Sequence, residues 1–244
     1  MKKFAVIFTA AVWLVSGAAV GDAGQLDSAG ANVFDTASVQ RGASYYVNYC
    51  LGCHSLQYMR YKRLSEDLDL TEEQVESLLM WGDQEIADAM TSNMDADESE
   101  EWFGITPPDL SLTARSRGVN WIYTYLRSFY LTDEGWNNTV LENASMPHVL
   151  WELQGTQRAI TDSWTDEEGA EHVRVADLEL DEPGLMEPVE YDSMVRDLAA
   201  FMHYASEPSI LKRKSLGIWV LLVLAVFTFL SWLLYKDYWQ DVKQ

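Results

Sequence analysis

The sequence predicts a mainly α-helical domain tied to a membrane by a single C-terminal helix. Three observations predict it: apolar residues recur at helical spacing in three separate stretches, alternating stretches are scarce, and two uncharged apolar segments of unequal length bracket the chain.

The bracketing segments differ in kind. Residues 4–15 follow Lys2 and Lys3 and run into Ser16, Gly17, Ala18 and Ala19. A basic start, a short apolar stretch and small residues after it make residues 1–19 a signal peptide. The second segment, "LGIWVLLVLAVFTFLSWLLY" from Leu216 to Tyr235, is twenty residues without a charge. At ~1.5 Å per residue it spans about 30 Å, the thickness of a bilayer's hydrocarbon core. Trp219, Trp232 and Tyr235 lie near its ends, where amphipathic rings favour the interface. The expected division is therefore a signal peptide at 1–19, an exported domain at 20–211, and an anchor with a short cytoplasmic tail at 212–244. Lys212, Arg213 and Lys214 sit on the exported flank, against the positive-inside rule. A long exported domain translocates largely regardless of such charges, so the signal peptide decides the orientation.

Within the exported part, Ser38–Tyr49 reads as a helix, with Ser38 as its cap and Val39, Tyr45, Tyr46 and Tyr49 as apolar surface. Gly42 in its middle allows another helix to come close. Glu190–Ala205 reads as a second helix, with Met194, Val195, Leu198, Phe201 and Met202 on one face. Val119–Tyr130 is a third, preceded by a rigid turn at Pro107-Pro108-Asp109. His172–Leu180 alternates enough for one short hairpin arm. No internal repeat and no low-complexity tract is visible.

The formal charge is −21, and the acids cluster at residues 66–69, 72–76, 95–101, 162–171 and 177–182. Phosphates would be repelled, so nucleic acid is excluded as a partner. A field of one sign steers oppositely charged proteins, which favours a cationic protein partner; solvated faces account for individual clusters equally well.

Both cysteines of the chain fall in "NYCLGCHSLQYM", with His54 next to Cys53. A disulfide between Cys50 and Cys53 would close almost no loop and stabilise little. A thioredoxin-like pair should follow a strand, and no apolar strand precedes Cys50. Zinc would need a second pair of ligands, and there is no other cysteine. Cys-x-x-Cys-His remains as a site of covalent haem attachment: two thiols on one turn reach the two vinyl groups and the adjacent imidazole meets the iron. The cofactor expected is one haem c, with Cys50, Cys53 and His54 holding it.

The iron's other position decides between electron transfer and ligand chemistry, and a methionine there raises the potential. Of nine methionines, Met1 lies in the signal peptide and Met59 is too close to His54 to cross to the opposite ring face. Met80 and Met90 lie in acidic stretches that read as helical, and Met194 and Met202 share an apolar helix face. Met94, Met146 and Met186 remain, each in a non-periodic segment. Pro147 holds Met146 extended, which suits presentation from a loop; filling a gap is the alternative role.

"QRGASYYVNYCLGCHSLQYMRY", "PPDLSLTARSRGVNWIYTYL" and "GWNNTVLENASMPHVLWELQG", followed by "YASEP", a basic cluster and one apolar helix, resemble the cytochrome c1 family in its proteobacterial form. The resemblance runs from about Ser38 to the C-terminus. It implies a cytochrome c-type haem domain with insertions, plus a single C-terminal transmembrane helix. It implies Met146 as the second axial ligand beside His54, Arg115 as the partner of a haem propionate, and Pro107 and Pro108 as a turn packed along the haem. Trp121 stands where relatives often carry tyrosine. The implied role is that of a haem subunit in the dimeric quinol:cytochrome c reductase (bc1) complex. That subunit passes electrons from the Rieske iron-sulfur protein to a cytochrome c, while quinol is oxidised on cytochrome b rather than here. The implied location is the inner membrane and its lipid, with the haem domain in the periplasm. The departures from the family pattern lie in the acidic stretches 66–101 and 162–182.

Other singled-out residues carry bland readings. His148 could hydrogen-bond near the haem, His203 packs on a helix, His172 lies on the surface, and Arg60, Lys62 and Arg63 balance the acids that follow. Three rival functions stay open: a membrane-anchored monohaem c-type cytochrome of another respiratory complex, a haem-based ligand sensor, and a haem peroxidase. The last would usually need a second haem or an open catalytic position. If the acidic surface steers a basic acceptor, electron transfer to that acceptor slows as salt rises, because the Debye length shrinks from about 10 Å at 0.1 M to about 3 Å at 1 M. Stopped-flow acceptor reduction across that range checks it, and a flat salt dependence would sink the steering.

Overall fold

The structure is a computed structural model that describes residues 26–166 and 169–241; the expected signal peptide lies outside the described residues. In chain order the elements are α1 (Thr36–Tyr49), β1 (Leu56–Arg60), α2 (Tyr61–Asp67), α3 (Glu72–Leu79), β2 (Ala89–Met90), α4 (Ala96–Phe103) and α5 (Thr113–Ser116). There follow α6 (Val119–Arg127), β3 (Phe129–Thr132), β4 (Gly135–Asn138), α7 (Trp151–Gln154), β5 (Gly155–Thr165), β6 (Glu171–Pro183), α8 (Pro188–Ser206) and α9 (Ile210–Trp239). The strands form three separate antiparallel pairs: β1 with β2, β3 with β4, and β5 with β6.

The core is organised by α1 lying across α8. A Cβ on Gly42 would stand 2.1 Å from the Asp197 carbonyl oxygen and 2.7 Å from Cβ of Phe201, so the crossing requires glycine. Beside the contact, the buried Asp197 carboxylate accepts from the Ser38 hydroxyl at 2.6 Å and from Arg41 at 2.6 and 3.0 Å. Tyr46 and Phe201 pack with ring centroids 5.4 Å apart. Val39, Ala43, Val195 and Leu198 complete a fully buried seam. Met194 and Met202 belong to it, as their helical spacing predicts.

Several local expectations are corrected. Asp35, not Ser38, caps α1: its side chain accepts from the Ser38 N–H, and the Ser38 hydroxyl is committed to Asp197. The third amphipathic helix ends at Arg127 instead of Tyr130. Its continuation, Phe129–Thr132, pairs in register with Gly135–Asn138 about a turn that Gly135 closes with φ 123°. Aromatic residues before a tight turn favour the extended state over another helical turn. The hairpin arm at 172–180 grows to thirteen residues, Glu171–Pro183, and pairs with the eleven of β5.

The acidic stretch 66–101 is more than a solvated face. Thr71 and Gln74 form a capping box at the start of α3, and Glu72 and Glu73 sit where the helix dipole favours acids. Val75 and Leu79 on the opposite face are buried beside Leu64 and Leu68. Met80 is the extended C-cap of α3, and Met90 lies on β2 opposite Leu56, so neither is helical. Arg60 donates to the Ala87 carbonyl and Arg63 pairs with Asp67, which accounts for two of the three cations after the haem motif.

The last helix, α9, has 30 residues and mean hydropathy 2.4 over its most apolar window, long and apolar enough to cross a membrane. Its apolar side chains from Leu216 onward are exposed, while Ile210 at its start is buried in the domain. Arg213 holds Glu207 through two hydrogen bonds of 2.7 and 3.1 Å, and Lys214 lies over Phe34 at 5.3 Å, bracing the joint between domain and anchor.

Replacing Gly42 with alanine adds a methyl group where no space exists. The expected cost is about 1–3 kcal/mol from overpacking, despite alanine's better helix propensity. Thermal unfolding of the detergent-solubilised chain checks it, with a lower midpoint expected.

Candidate functional site

The haem motif sits at the C-terminal end of α1. Cys50 caps the helix with its N–H on the Tyr46 carbonyl, and the chain then tightens into one further turn. The Cys53 and His54 N–H groups both return to the Cys50 carbonyl, at 3.1 and 2.8 Å. That turn places both cysteines and the histidine side by side. Both cysteines are free, Cys50 buried and Cys53 half-buried. Burial pushes the Cys50 thiol up to about 12 and raises that of Cys53 as well, so both remain neutral. The Tyr46 hydroxyl donates to the His54 carbonyl at 2.8 Å, tying the turn back to the helix before it.

His54 is oriented by the proline turn. Its Nδ1 stands 2.8 Å from the Pro108 carbonyl oxygen, which can only accept, so Nδ1 carries the proton and Nε2 presents a bare lone pair. Burial lowers the His54 pKa, opposed by the Pro108 carbonyl and by Asp109, and this keeps the ring neutral near pH 7. The turn is itself laced onto the strand that follows the motif. The Leu110 N–H donates to the Ser55 carbonyl, the Gln57 N–H to Asp109, and the Tyr58 N–H to the Ser111 hydroxyl. The acidic segment closes the other side, where the Ser92 hydroxyl donates to the Gly52 carbonyl at 2.6 Å.

Met146 lies in the loop between β4 and α7, half-buried against the core. Two asparagines fold that loop. Asn138 is fully buried; its amide donates to the Tyr125 carbonyl at 2.8 Å, and its oxygen accepts from the Val140 and Leu141 N–H groups. Asn137 accepts from the N–H of Asn143, a non-glycine residue at φ 57°. The Tyr125 hydroxyl lies 3.5 Å from the Met146 sulfur.

Two residues beyond Met146, His148 is buried, stacked on Phe129 at 4.9 Å and edge-on to Trp136 at 5.1 Å. Burial pushes it down to about 4, with the Gln154 side chain opposing, so it is a neutral packing residue in the wall of the loop.

The remaining expected residues sit nearby in the chain. Arg115, on α5, is exposed and makes no side-chain hydrogen bond or ion pair among the described residues, so its guanidinium is available to an acid. Trp121 is half-buried, stacked on Tyr125 at 4.8 Å and 8°, with the Arg117 guanidinium 5.3 Å from its ring centre. Met94 and Met186, the other loop methionines, are half-buried. His172 is exposed, paired with Asp166 at 2.7 Å, and His203 is half-exposed on α8. Sequence reasoning missed Tyr125, Asn138 and the role of the Pro108 carbonyl. All three lie in stretches that carry the family resemblance, but Tyr125 read only as a residue of an amphipathic helix and Asn138 was assigned to no element.

The donor set fits a haem c. Two unpaired thiols share a turn, the adjacent imidazole has its distal nitrogen free, and a thioether is available on a separately fixed loop.

Comparison with known proteins agrees. The sequence profile of the Cytochrome C1 family matches residues 28–242. The chain is 46% identical over 227 residues to cytochrome c1 of Allochromatium vinosum, covering 92% of each chain. It is 41% identical over 221 residues to a Nitrosomonas europaea protein named ammonia monooxygenase gamma subunit, covering 89% of each. It is 27% identical over 240 residues to cytochrome c1 of Rhodospirillum rubrum, covering 86% of this chain and 84% of that one.

Asn138→Leu would leave the Tyr125 carbonyl and two loop N–H groups without their partner. The expected loss is about 3 kcal/mol, which for a domain of this size lowers Tm by about 6–12 °C. Differential scanning calorimetry of the holoprotein in detergent measures it.

Proposed function

This chain belongs to the cytochrome c1 family, and on that premise we propose how its residues hold the haem and which partners it serves. Proteins of the family carry one covalently bound haem c, and this chain is the membrane-anchored haem subunit that transfers electrons in the bc1 oxidoreductase complex. The proposal concerns the finer points.

Cys50 and Cys53 would supply the two thioether sulfurs, and His54 Nε2 and the Met146 sulfur would be the atoms that hold the iron. The observation that carries this assignment is the hydrogen bond from His54 Nδ1 to the Pro108 carbonyl, which leaves the distal nitrogen as the only lone pair of the ring. That bond also fixes the ring's rotation and raises its basicity, the usual task of a partner behind a metal-bound histidine. Arg115, exposed and in no side-chain hydrogen bond or ion pair among the described residues, would pair with a propionate, and Pro107 and Pro108 would pack along the haem.

The bound haem supplies one iron that accepts and releases a single electron. The chain's own residues hold it in place and limit water around it. Pairing sulfur with imidazole favours the reduced state and raises the potential. No group in the site is asked to move a proton: the two cysteine sulfurs would be spent in thioethers, the free His54 lone pair would be given to the iron, and burial keeps His148 neutral. The chain alone oxidises no quinol in this reading. It takes electrons from the Rieske iron-sulfur protein, beside cytochrome b, and passes them to a cytochrome c. Residues 1–19 act as the signal peptide, so residues 20–211 stand in the periplasm and 212–244 anchor them in the inner membrane.

Met146→Leu removes the proposed sulfur ligand while keeping the side chain's volume. In the complex isolated in detergent, the variant subunit is expected to keep its covalent haem and to co-purify with cytochrome b and the Rieske protein. It is expected to lose the near-infrared sulfur-to-iron band and to have a lower midpoint potential. An unchanged band would remove Met146 from the ligand set.

A further inference from the structure

We propose that the Tyr125 hydroxyl is a positioning residue for the Met146 sulfur, donating a hydrogen bond that holds the thioether in the site and weakens its electron donation to the iron. The proposal rests on the assignment of Met146 as an axial ligand.

The geometry is specific. Tyr125 lies on the buried face of α6, and its hydroxyl has one hydrogen-bond partner among the described residues, the Met146 sulfur at 3.5 Å. Buried phenols find partners as a rule, and a thioether is a weak acceptor rarely chosen where a carbonyl or water is at hand. The ring is not free to turn elsewhere. Trp121 stacks on one face at 4.8 Å, Phe129 meets it edge-on at 5.0 Å, and Asn138 holds the residue's own carbonyl. The same Asn138 side chain folds the start of the loop that delivers Met146, so donor and acceptor are set by one residue.

The chemistry follows from the sulfur's two lone pairs. One is available to a metal and the other to the hydroxyl, so both bonds can be made at once. A proton shared with the second pair draws density from sulfur, which makes it a poorer donor and favours the iron's electron-rich, reduced state. Hydrogen bonding behind an axial ligand is a recognised lever on haem potential. Tyr125 thus adds to the potential that methionine ligation already raises. It also restrains a flexible side chain, whose three rotatable bonds otherwise leave its sulfur free to wander.

The test compares the midpoint potential and the near-infrared band of the full-length holoprotein in detergent with those of Tyr125→Phe, Trp121→Phe and Met146→Leu. Tyr125→Phe keeps the ring stack and removes one oxygen. The expected result is a retained band, showing that sulfur is still bound, with the reduction equilibrium constant lowered about threefold. That is a fall of about 30 mV, a tenfold change in a one-electron couple being about 59 mV. Trp121→Phe perturbs the stack but leaves the hydroxyl, and its potential is expected to shift by less than half as much. A potential in Tyr125→Phe equal to wild type with the band intact would overturn the proposal while leaving Met146 as the ligand. So would an equal fall in Trp121→Phe, which would make the effect one of packing. A wild-type band absent, or unaltered in Met146→Leu, would overturn the ligand assignment and the Tyr125 role with it.

Discussion

The close crossing of α1 over α8 is the constraint on which the site depends. At Gly42 the two backbones approach within a distance that any side chain would forbid, and the carboxylate of Asp197 gathers Ser38 and Arg41 around the contact. A buried carboxylate is tolerated there because three hydrogen bonds replace its water. The helix so held is capped by Cys50, and the turn that follows it carries Cys53 and His54. The rigidity of the haem motif is therefore inherited from a helix contact two turns earlier. Met146 stands on a separate loop that packs against the same core. Tyr191 of α8 donates to the Leu126 carbonyl of α6 and so ties that helix to the core.

Electron transfer asks for little rearrangement between oxidation states, and the surroundings of the motif meet that demand through hydrogen bonds rather than charge. The Pro108 carbonyl holds His54, the Tyr46 hydroxyl holds the backbone behind it, and Ser92 fastens the turn to the acidic segment. Fixed dipoles of this kind need not reorganise when a single electron arrives or leaves. Most of the acids lie away from the motif. Glu72 and Glu73 serve the dipole of α3, and the acids of β5 and β6 line an exposed ribbon. The strongly negative exterior is therefore built largely from residues other than those that form the haem motif and its turn.

Much of this was legible beforehand. The helices at 38–49, 119–130 and 190–205 were visible in the spacing of their apolar residues, and each is present with no end moved by more than three residues. The anchor was visible in length and composition. The helical reading failed at Met80 because the helix stops at Leu79, and at Met90 because a distant strand claims that residue. Met90 is extended because Leu56 pairs with it from thirty-four positions earlier. The length of the β5–β6 ribbon was similarly hidden: its partner strand contributes small and polar residues such as Ala159, Thr161 and Ser163, which carry little signal alone.

By itself the sequence determined the identity of the chemistry. Two cysteines and a histidine at adjacent positions on one turn are a local arrangement, and local spacing suffices to read it. It also determined that one helix can cross a bilayer, because that depends on run length and apolarity alone. Only the tertiary structure decided which nitrogen of His54 faces outward, since the deciding carbonyl belongs to Pro108, fifty-four positions away. It alone brought Tyr125 to the sulfur of Met146, through a strand turn and an asparagine whose partners no periodicity reveals. Hydrogen bonds between distant residues depend on where the chain returns in space, and that is set by packing of the whole core rather than by any one segment's pattern.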